Sequence, residues 1–415
     1  MDTHAAVNAQ AFNPDGAVFV SYRQSDGSDL ADQVAWTLRG CGVPVWRDKE
    51  DLLPGDFAER ISQAFDEGIS AAVLVITPDI KNSPVMKNIE VPRLLELHRL
   101  EPRFSLAVLN AVKKDHGGLD YAMPESLLDL QDTRLQETKQ YEPSDDGIAS
   151  LAVEMARRRV IEFSRAAHTT LPINIQTRST PQATDAQQGL VIRLRPASDA
   201  ARVPPLDAYQ NVRTFFSACP QLVAASGATE IEITGGAHLS IGFGLGVAFP
   251  RVRHIPVTIV DGAGRWSSNP ETVAAEVSLQ LEATDVSPGT GRLAVYVDAA
   301  EHFGDPSAFE LWMEQNRLAV NRRLVVRGPG GRLDATSGQR LAEQIEGAIR
   351  DNALPLGHGR VDLFLRVSFP VAVLLGRLLN TLTITTYEWD NATPPARYVP
   401  SAIYEYGTNP LSRIL

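Results

Sequence analysis

The chain has 415 residues, 44% hydrophobic and 21% charged, which is the composition of a globular protein with room for two domains or more. Its net charge of −11 excludes the extended basic face that broad binding to duplex nucleic acid requires, although a few arginines and backbone N–H groups can still hold a small anion. No apolar run reaches the roughly 20 residues that cross a bilayer, residues 1–16 lack the pattern of a secretory signal, and Cys41 and Cys219 have no CxxC companion, so a cytoplasmic protein without disulfides, structural zinc or another bound metal is expected.

In chain order, AVFVS at 17–21 is a short strand behind the turn signal NPDG. A helix follows, with Leu30, Val34 and Leu38 as its apolar stripe and Gly40 and Gly42 as its stop. VPVW is a second strand, RDKEDLLPGDF a polar loop, FAERISQAFDEG an amphipathic helix, and AAVLVIT a fully apolar strand suited to the centre of a parallel sheet. SPVMKNIEVPRLL then passes from loop to helix, with Val91, Leu94 and Leu95 at helical spacing. Glu90 falls just ahead of them and is expected near the helix start, where Pro92 is tolerated and the helix dipole favours a carboxylate. FSLAVLNAV is another strand and IASLAVEMARRRVIEF a long helix. Strands alternating with helices predict a parallel α/β sheet.

Segment 172–189, poor in apolar residues and rich in Pro, Thr and Gln, reads in its second half as a linker. The expected division is a flexible N-terminus at 1–14, a first domain at 15–167, a linker at 168–187 and a second domain at 188–415. All six lysines precede residue 140, and arginine alone is used afterwards, as expected for two joined modules. The second module is α/β again. GGAHLSIGFGLGVAFPRVRHIPVTIVDG and RVSFPVAVLLGRLLNTLTITTYEWD share one plan: a turn, an apolar helix containing glycine, then a β-run. Either two related units are paired, with equivalent loops at one face, or two α/β segments are alike only because such segments generally are.

The first module resembles a TIR domain, a flavodoxin-like parallel α/β fold. The resemblance is carried by Phe19-Val20-Ser21-Tyr22-Arg23 with Asp26, by LRGCGVPVWRD from Leu38 to Asp48, by Leu52-Leu53-Pro54-Gly55 as the BB loop, and by Val73–Thr77 followed by Ser83. It implies cleavage of NAD+ as substrate, with Glu90 as the catalytic carboxylate. The family usually has a tryptophan in a W-x-x-E pattern, where Met86 or Lys87 stands here. Breaking the nicotinamide–ribose bond develops positive charge on the ribose, which an adjacent carboxylate stabilises. The resemblance further implies substrate contacts from Ser21, Tyr22, Arg23 (to phosphate), Trp46 (stacking on a base), Asp48 (more a loop-shaping residue) and Ser83. Leu52, Leu53, Pro54 and Gly55 would mediate TIR–TIR contacts.

The second module resembles a SAVED domain, built of two CARF-like Rossmann-type α/β units. Phe369–Arg377, Tyr387-Glu388-Trp389, Tyr398 and His238-Leu239-Ser240 carry this resemblance. It implies a cyclic di- or trinucleotide as activator, on family grounds a cyclic trinucleotide such as cyclic tri-adenylate. Aromatic faces for bases would come from Trp266, Phe369, Tyr387 and Trp389, and donors for phosphates from His238, Ser240, Ser368 and Arg377 with the two helix starts. Leu239 and Pro370 lie in the same turns. Together the resemblances imply an antiphage effector of the cyclic-oligonucleotide (CBASS) type, in which ligand drives head-to-tail oligomers or filaments and the TIR half hydrolyses NAD+ without a bound cofactor. The alternative is a TIR scaffold that recruits a partner and performs no chemistry.

Overall fold

The structure is a computed structural model, described here for residues 11–47, 64–131, 134–178, 187–197, 203–270, 276–288, 291–357, 359–392, 394–407 and 409–415. The chain divides into two compact units: Met1–His168 with Thr180–Arg193 and Ala224–Gly227, and Thr169–Ser179 with Leu194–Val223 and Ala228–Leu415. Among the described residues no helix is long and apolar enough to cross a membrane.

The first unit is a parallel five-stranded sheet in the order β2-β1-β3-β4-β5, with β1 at Phe12–Ser21, β2 at Val45–Trp46, β3 at Ile69–Ile76, β4 at Ser105–Asn110 and β5 at Gln140–Tyr141. This is the flavodoxin-like order. Strand β1 starts earlier than the apolar run, at Phe12, with an irregularity in its register before Ala17. The apolar run of β3 fills the centre of the sheet, with Ala72 through Ile76 fully buried. Helices α1 (Gln24–Gly40), α2 (Val91–Leu100) and α3 (Asp145–Ser164) belong to this unit. Ser144 caps α3, accepting from the Gly147 N–H.

One sequence-based boundary changes. Thr170–Gln176, inside the expected linker, is strand β6 of the second unit, pairing in parallel with β8 (Glu230–Gly236). Its Leu171, Ile173 and Ile175 are buried and the residues between them half-buried, so a sparse alternation suffices for a strand. By compactness Leu190–Arg193 (β7) groups with the first unit, while its sheet pairing is with β6, as expected of the second module. The Val191 N–H bonds to the Gly42 carbonyl at 2.8 Å. The buried Arg159 guanidinium on α3 donates to the carbonyls of Gly16, Asp15, Gly189 and Gln187. Burial lowers its pKa to about 10, against a smaller opposing pull from the Asp15 charge.

The second unit contains the repeat. Strand β8, helix α5 (Leu239–Ala248), strand β9 (Val257–Asp261) and strand β10 (Gly264–Ser267) form a parallel β-α-β followed by an antiparallel hairpin. Strand β14 (Arg360–Arg366), helix α8 (Phe369–Leu378), strand β15 (Thr383–Asp390) and strand β16 (Arg397–Tyr404) do the same. Around the second copy runs a seven-stranded sheet, β11-β13-β12-β14-β15-β16-β17, with β11 at Gln280–Asp285, β12 at Arg292–Asp298, β13 at Arg322–Arg327 and β17 at Leu411–Ile414.

Helices α5 and α8 are apolar nearly all round because they are buried against each other. They touch backbone to backbone. A Cβ placed on Gly246 would lie 2.0 Å from the Val373 carbonyl oxygen, and one on Gly376 2.1 Å from that of Phe243. Gly242 meets the Phe369 ring in the same way. Helix α7 (Gly338–Ala353) supplies a control, because a Cβ on its Gly347 would meet nothing within 4 Å. Gly246→Ala is expected to destabilise the second unit by about 3 kcal/mol through overpacking. Gly347→Ala is expected to stabilise it by about 0.5–1 kcal/mol through helix propensity alone. Opposite shifts of the denaturant midpoint check the pair.

Candidate functional site

In the first unit the chemistry gathers at the C-terminal edge of the sheet, where α/β proteins place ligands. Ser21 is the last residue of β1, and its Oγ donates a short hydrogen bond to Glu90 Oε2. Both residues are 2% exposed. A carboxylate this deeply buried needs donors, and Ser21 supplies one.

Glu90 does not sit at a helix start. The helical run begins at Pro84, behind Ser83, whose carbonyl accepts from the Lys87 N–H at 3.1 Å and whose Oγ lies 3.4 Å from the Met86 N. Pro84 therefore takes the first helical position that Pro92 was expected to take. Glu90 lies in the second turn, beyond reach of the dipole effect, which fades within the first. Its setting is a π turn, Met86–Glu90, after which α2 continues with Val91, Leu94 and Leu97 fully buried. Ser83 is used as a cap for this helix.

Arg23 precedes α1 and is half-buried, held by bonds to its neighbours. Its Nε donates to Asp79 Oδ2 at 2.5 Å and its Nη1 to the Asn82 carbonyl at 2.8 Å. Asp79 also accepts from Ser25 Oγ at 2.5 Å and Asn82 Nδ2 at 2.6 Å, and these donors hold its carboxyl well below the usual range. Asp26 accepts from Thr77 Oγ1 at 2.7 Å and from the Asp79 N–H at 3.0 Å, fixing that loop. Sequence reasoning missed Asp79 and Asn82. The available signal was an acid two residues beyond a buried strand end, across from the strand end that carries Arg23. An anion binding Arg23 would have to compete with Asp79.

Tyr22 is buried beside Gly27. Trp46, expected to offer its face to a base, is instead 4% exposed in the core, with its ring stacked on Phe19 at 5.3 Å. Asp48, Leu52, Leu53, Pro54 and Gly55 lie outside the described residues.

In the second unit the start of α5 is already occupied. Ser240 donates to Glu388 Oε1 through both its N–H, at 2.9 Å, and its Oγ, at 2.5 Å. The Tyr209 hydroxyl lies 2.7 Å from Ser240 Oγ. His238 is buried, with Nδ1 2.8 Å from Thr177 Oγ1, and Leu239 is half-buried. An internal carboxylate thus holds the place expected for a phosphate. The start of α8 is different. Ser368 is its N-cap without a side-chain cap bond, and the buried Ser368 Oγ has no partner among the described residues. Phe369 and Pro370 form its first turn, and the Phe369 ring faces Gly242.

Three expected ligand contacts are structural. Trp266 is buried against Gly338 and donates Nε1–H to Asp261 at 2.8 Å. Tyr387 stacks on Phe364 at 4.3 Å within the core and donates to the buried Asp362 at 3.1 Å. Arg377 lies about 12 Å along α8 from its start. It donates to the Phe249 and Ile255 carbonyls at 2.7 and 2.9 Å, and burial lowers its pKa to about 10. Trp389 remains 44% exposed, opposite Tyr398 on β16. Near the strand ends, Arg366 donates to the buried Asp298 at 2.9 Å, and Asp298 also accepts from the Gly304 N–H at 2.8 Å. The sequence reading did not single out this pair.

Family models match both halves. The model of the TIR domain matches residues 18–143, and that of the SMODS-associated and fused to various effectors sensor domain, SAVED, matches residues 219–403. The chain joins a TIR domain to a SAVED domain. No curated protein matches it. Similar solved structures include the Acinetobacter baumannii Cap4 SAVED/CARF-domain containing receptor with the cyclic trinucleotide 2'3'3'-cAAA, at 14% identity and TM-score 0.44, covering 92% of this chain and 99% of that one. The same receptor with 3'3'3'-cAAA is 13% identical, with TM-score 0.45 and the same coverage. The Moraxella osloensis Cap4 receptor is 14% identical, with TM-score 0.41, covering 91% and 97%.

Glu388 of the SAVED domain carries a pH dependence. Burial pushes its pKa up, against the pull of its two bonds from Ser240. The folded state therefore keeps this proton to higher pH than the unfolded chain. The contribution favours folding at low pH and is lost as pH rises through the ordinary carboxylate range towards the folded-state value. Glu388→Gln is expected to melt above the wild type at pH 8, with the gap closing towards the ordinary glutamate pKa of about 4.3. Thermal melts of both proteins across pH check this, and a pH-independent gap would show that the charge is not the cause.

Proposed function

We propose that this chain is an antiphage effector in which the SAVED domain binds a cyclic oligonucleotide and the TIR domain then cleaves NAD+. The supporting observation is Glu90: a buried carboxylate held by a strand-end serine at the ligand-binding edge of a TIR sheet. The reaction is NAD+ plus water giving nicotinamide, ADP-ribose and a proton. The bond from ribose C1′ to the nicotinamide nitrogen breaks, its electron pair leaves with nicotinamide, and water oxygen bonds to C1′. Glu90 stabilises the cationic ribose in the transition state. Ser21 orients the carboxylate, and Arg23 takes a substrate phosphate by exchanging it for Asp79.

The activator is a cyclic trinucleotide such as cyclic tri-adenylate, the class named for the Cap4 receptors. Its binding favours head-to-tail oligomers or filaments, and only the assembled form is competent, so activation is mass action on assembly. Trp389 offers a face to a base, and the Ser368 hydroxyl at the start of α8, unpartnered among the described residues, offers a donor.

The test incubates purified full-length protein with a fluorogenic NAD+ analogue and a panel of cyclic di- and trinucleotides, with light scattering in parallel. One ligand is expected to switch on cleavage together with an increase in size. Glu90→Gln is expected to lose at least about a hundredfold in kcat. Cleavage by no ligand favours the scaffold reading, and cleavage without a change in size removes the assembly step.

A further inference from the structure

The helix that carries Glu90 changes its hydrogen-bond step in mid-course. The Lys87 N–H bonds to the Ser83 carbonyl, four residues back. The Val91 N–H bonds to the Met86 carbonyl, five residues back. Met86–Glu90 is therefore one π turn, and the regular helix resumes at Val91. A π turn fits one extra residue into the spiral. Both sides of it are anchored: Met86 is 1% exposed before it, and Val91, Leu94 and Leu97 are fully buried after it. Glu90 is the last residue of the widened turn, and there its side chain meets Ser21.

The sequence contains the cause two residues later. Pro92 has no N–H, and in a regular α-helix its ring would press on the carbonyl four residues back, that of Asn88. A wider turn immediately ahead of the proline relieves that clash. The missing donor also falls where the ladder steps from five residues back to four, so it interrupts a seam already present. At the other end Ser83 and Pro84 fix where the helix begins, which confines the extra residue to the stretch before Pro92.

Resting on the NAD+-cleaving reading above, we propose that Pro92 is a positioning residue of the TIR site: it holds the π turn that aims Glu90 at Ser21. It touches neither substrate nor reacting atoms. A proline that merely tolerated its place would, when replaced by a better helix former, leave activity alone or improve it together with stability.

The test is Pro92→Ala in the full chain, read by structure, by melting temperature and by NAD+ kinetics with the cyclic nucleotide that activates the wild type. The expected outcome is a regular helix, with the N–H at position 92 bonded to the Asn88 carbonyl and the Val91–Met86 bond lost. The melting temperature is expected to be unchanged or higher. The kcat is expected to fall on the order of tenfold to a hundredfold, the scale of a misplaced catalytic group, with KM little changed. Pro92→Ser serves if the alanine variant folds poorly. A retained π turn overturns the proposal, and so does a regular helix with wild-type kcat. If the wild type cleaves no NAD+ with any ligand, the functional reading falls and the inference is decided by structure alone. Glu90 still bonded to Ser21 in the variant then overturns it, and separation of the two supports it.

Discussion

Taking a carboxylate out of water costs several kcal/mol unless donors replace the lost hydration. Both units of this chain place a glutamate under that constraint. In the TIR unit, Ser21 at a strand end donates to Glu90 on a helix. In the SAVED unit the arrangement is reversed: Ser240 at a helix start donates to Glu388 on a strand. In each case serine and glutamate lie far apart in sequence, so the bond forms only when the sheet and the helix are correctly registered. The surrounding apolar packing sets that registration, and the buried charge penalises errors in it.

The two carboxylates differ in their settings. Glu90 is buried at the C-terminal edge of the TIR sheet, within a turn departing from regular geometry. Glu388 is enclosed, with Tyr209 beside its serine partner, and takes up hydrogen-bonding capacity that would otherwise attract an anion. The pseudo-repeat of the SAVED unit is therefore unequal at its two helix starts. One helix start is satisfied from within, while the other has an unpartnered serine hydroxyl among the described residues.

Much of the fold was legible in the sequence because local pattern and global architecture agree there. The apolar run of β3, the stripes of α1 and α7, and the two helix-then-strand copies state their periods plainly. The readings that failed depended on distant packing or on two similar local signals. Either Pro84 or Pro92 could occupy a first helical position, and Ser83 decides for the former through its capping geometry. Trp46, Trp266 and Tyr387 are aromatic residues on strands, but whether a ring faces solvent depends on Phe19, Gly338 and Phe364, which no local pattern brings next to them. Arg377 looks like a phosphate ligand until the length of α8 carries it away from the helix start. Strand β6 escaped notice because only every second residue is apolar and its neighbours are polar.

The guanidinium of Arg159 has a practical consequence for dissecting the protein. Two of its four carbonyl partners, Gly189 and Gln187, belong to a stretch beyond the long helix that ends the TIR sequence pattern. Excising the domain at residue 167 would remove them, and with them the Leu190 contact at Gly42. A buried cation would then be left half-solvated beside an opened groove. An isolated TIR fragment cut at the sequence-pattern boundary would therefore report on a damaged domain.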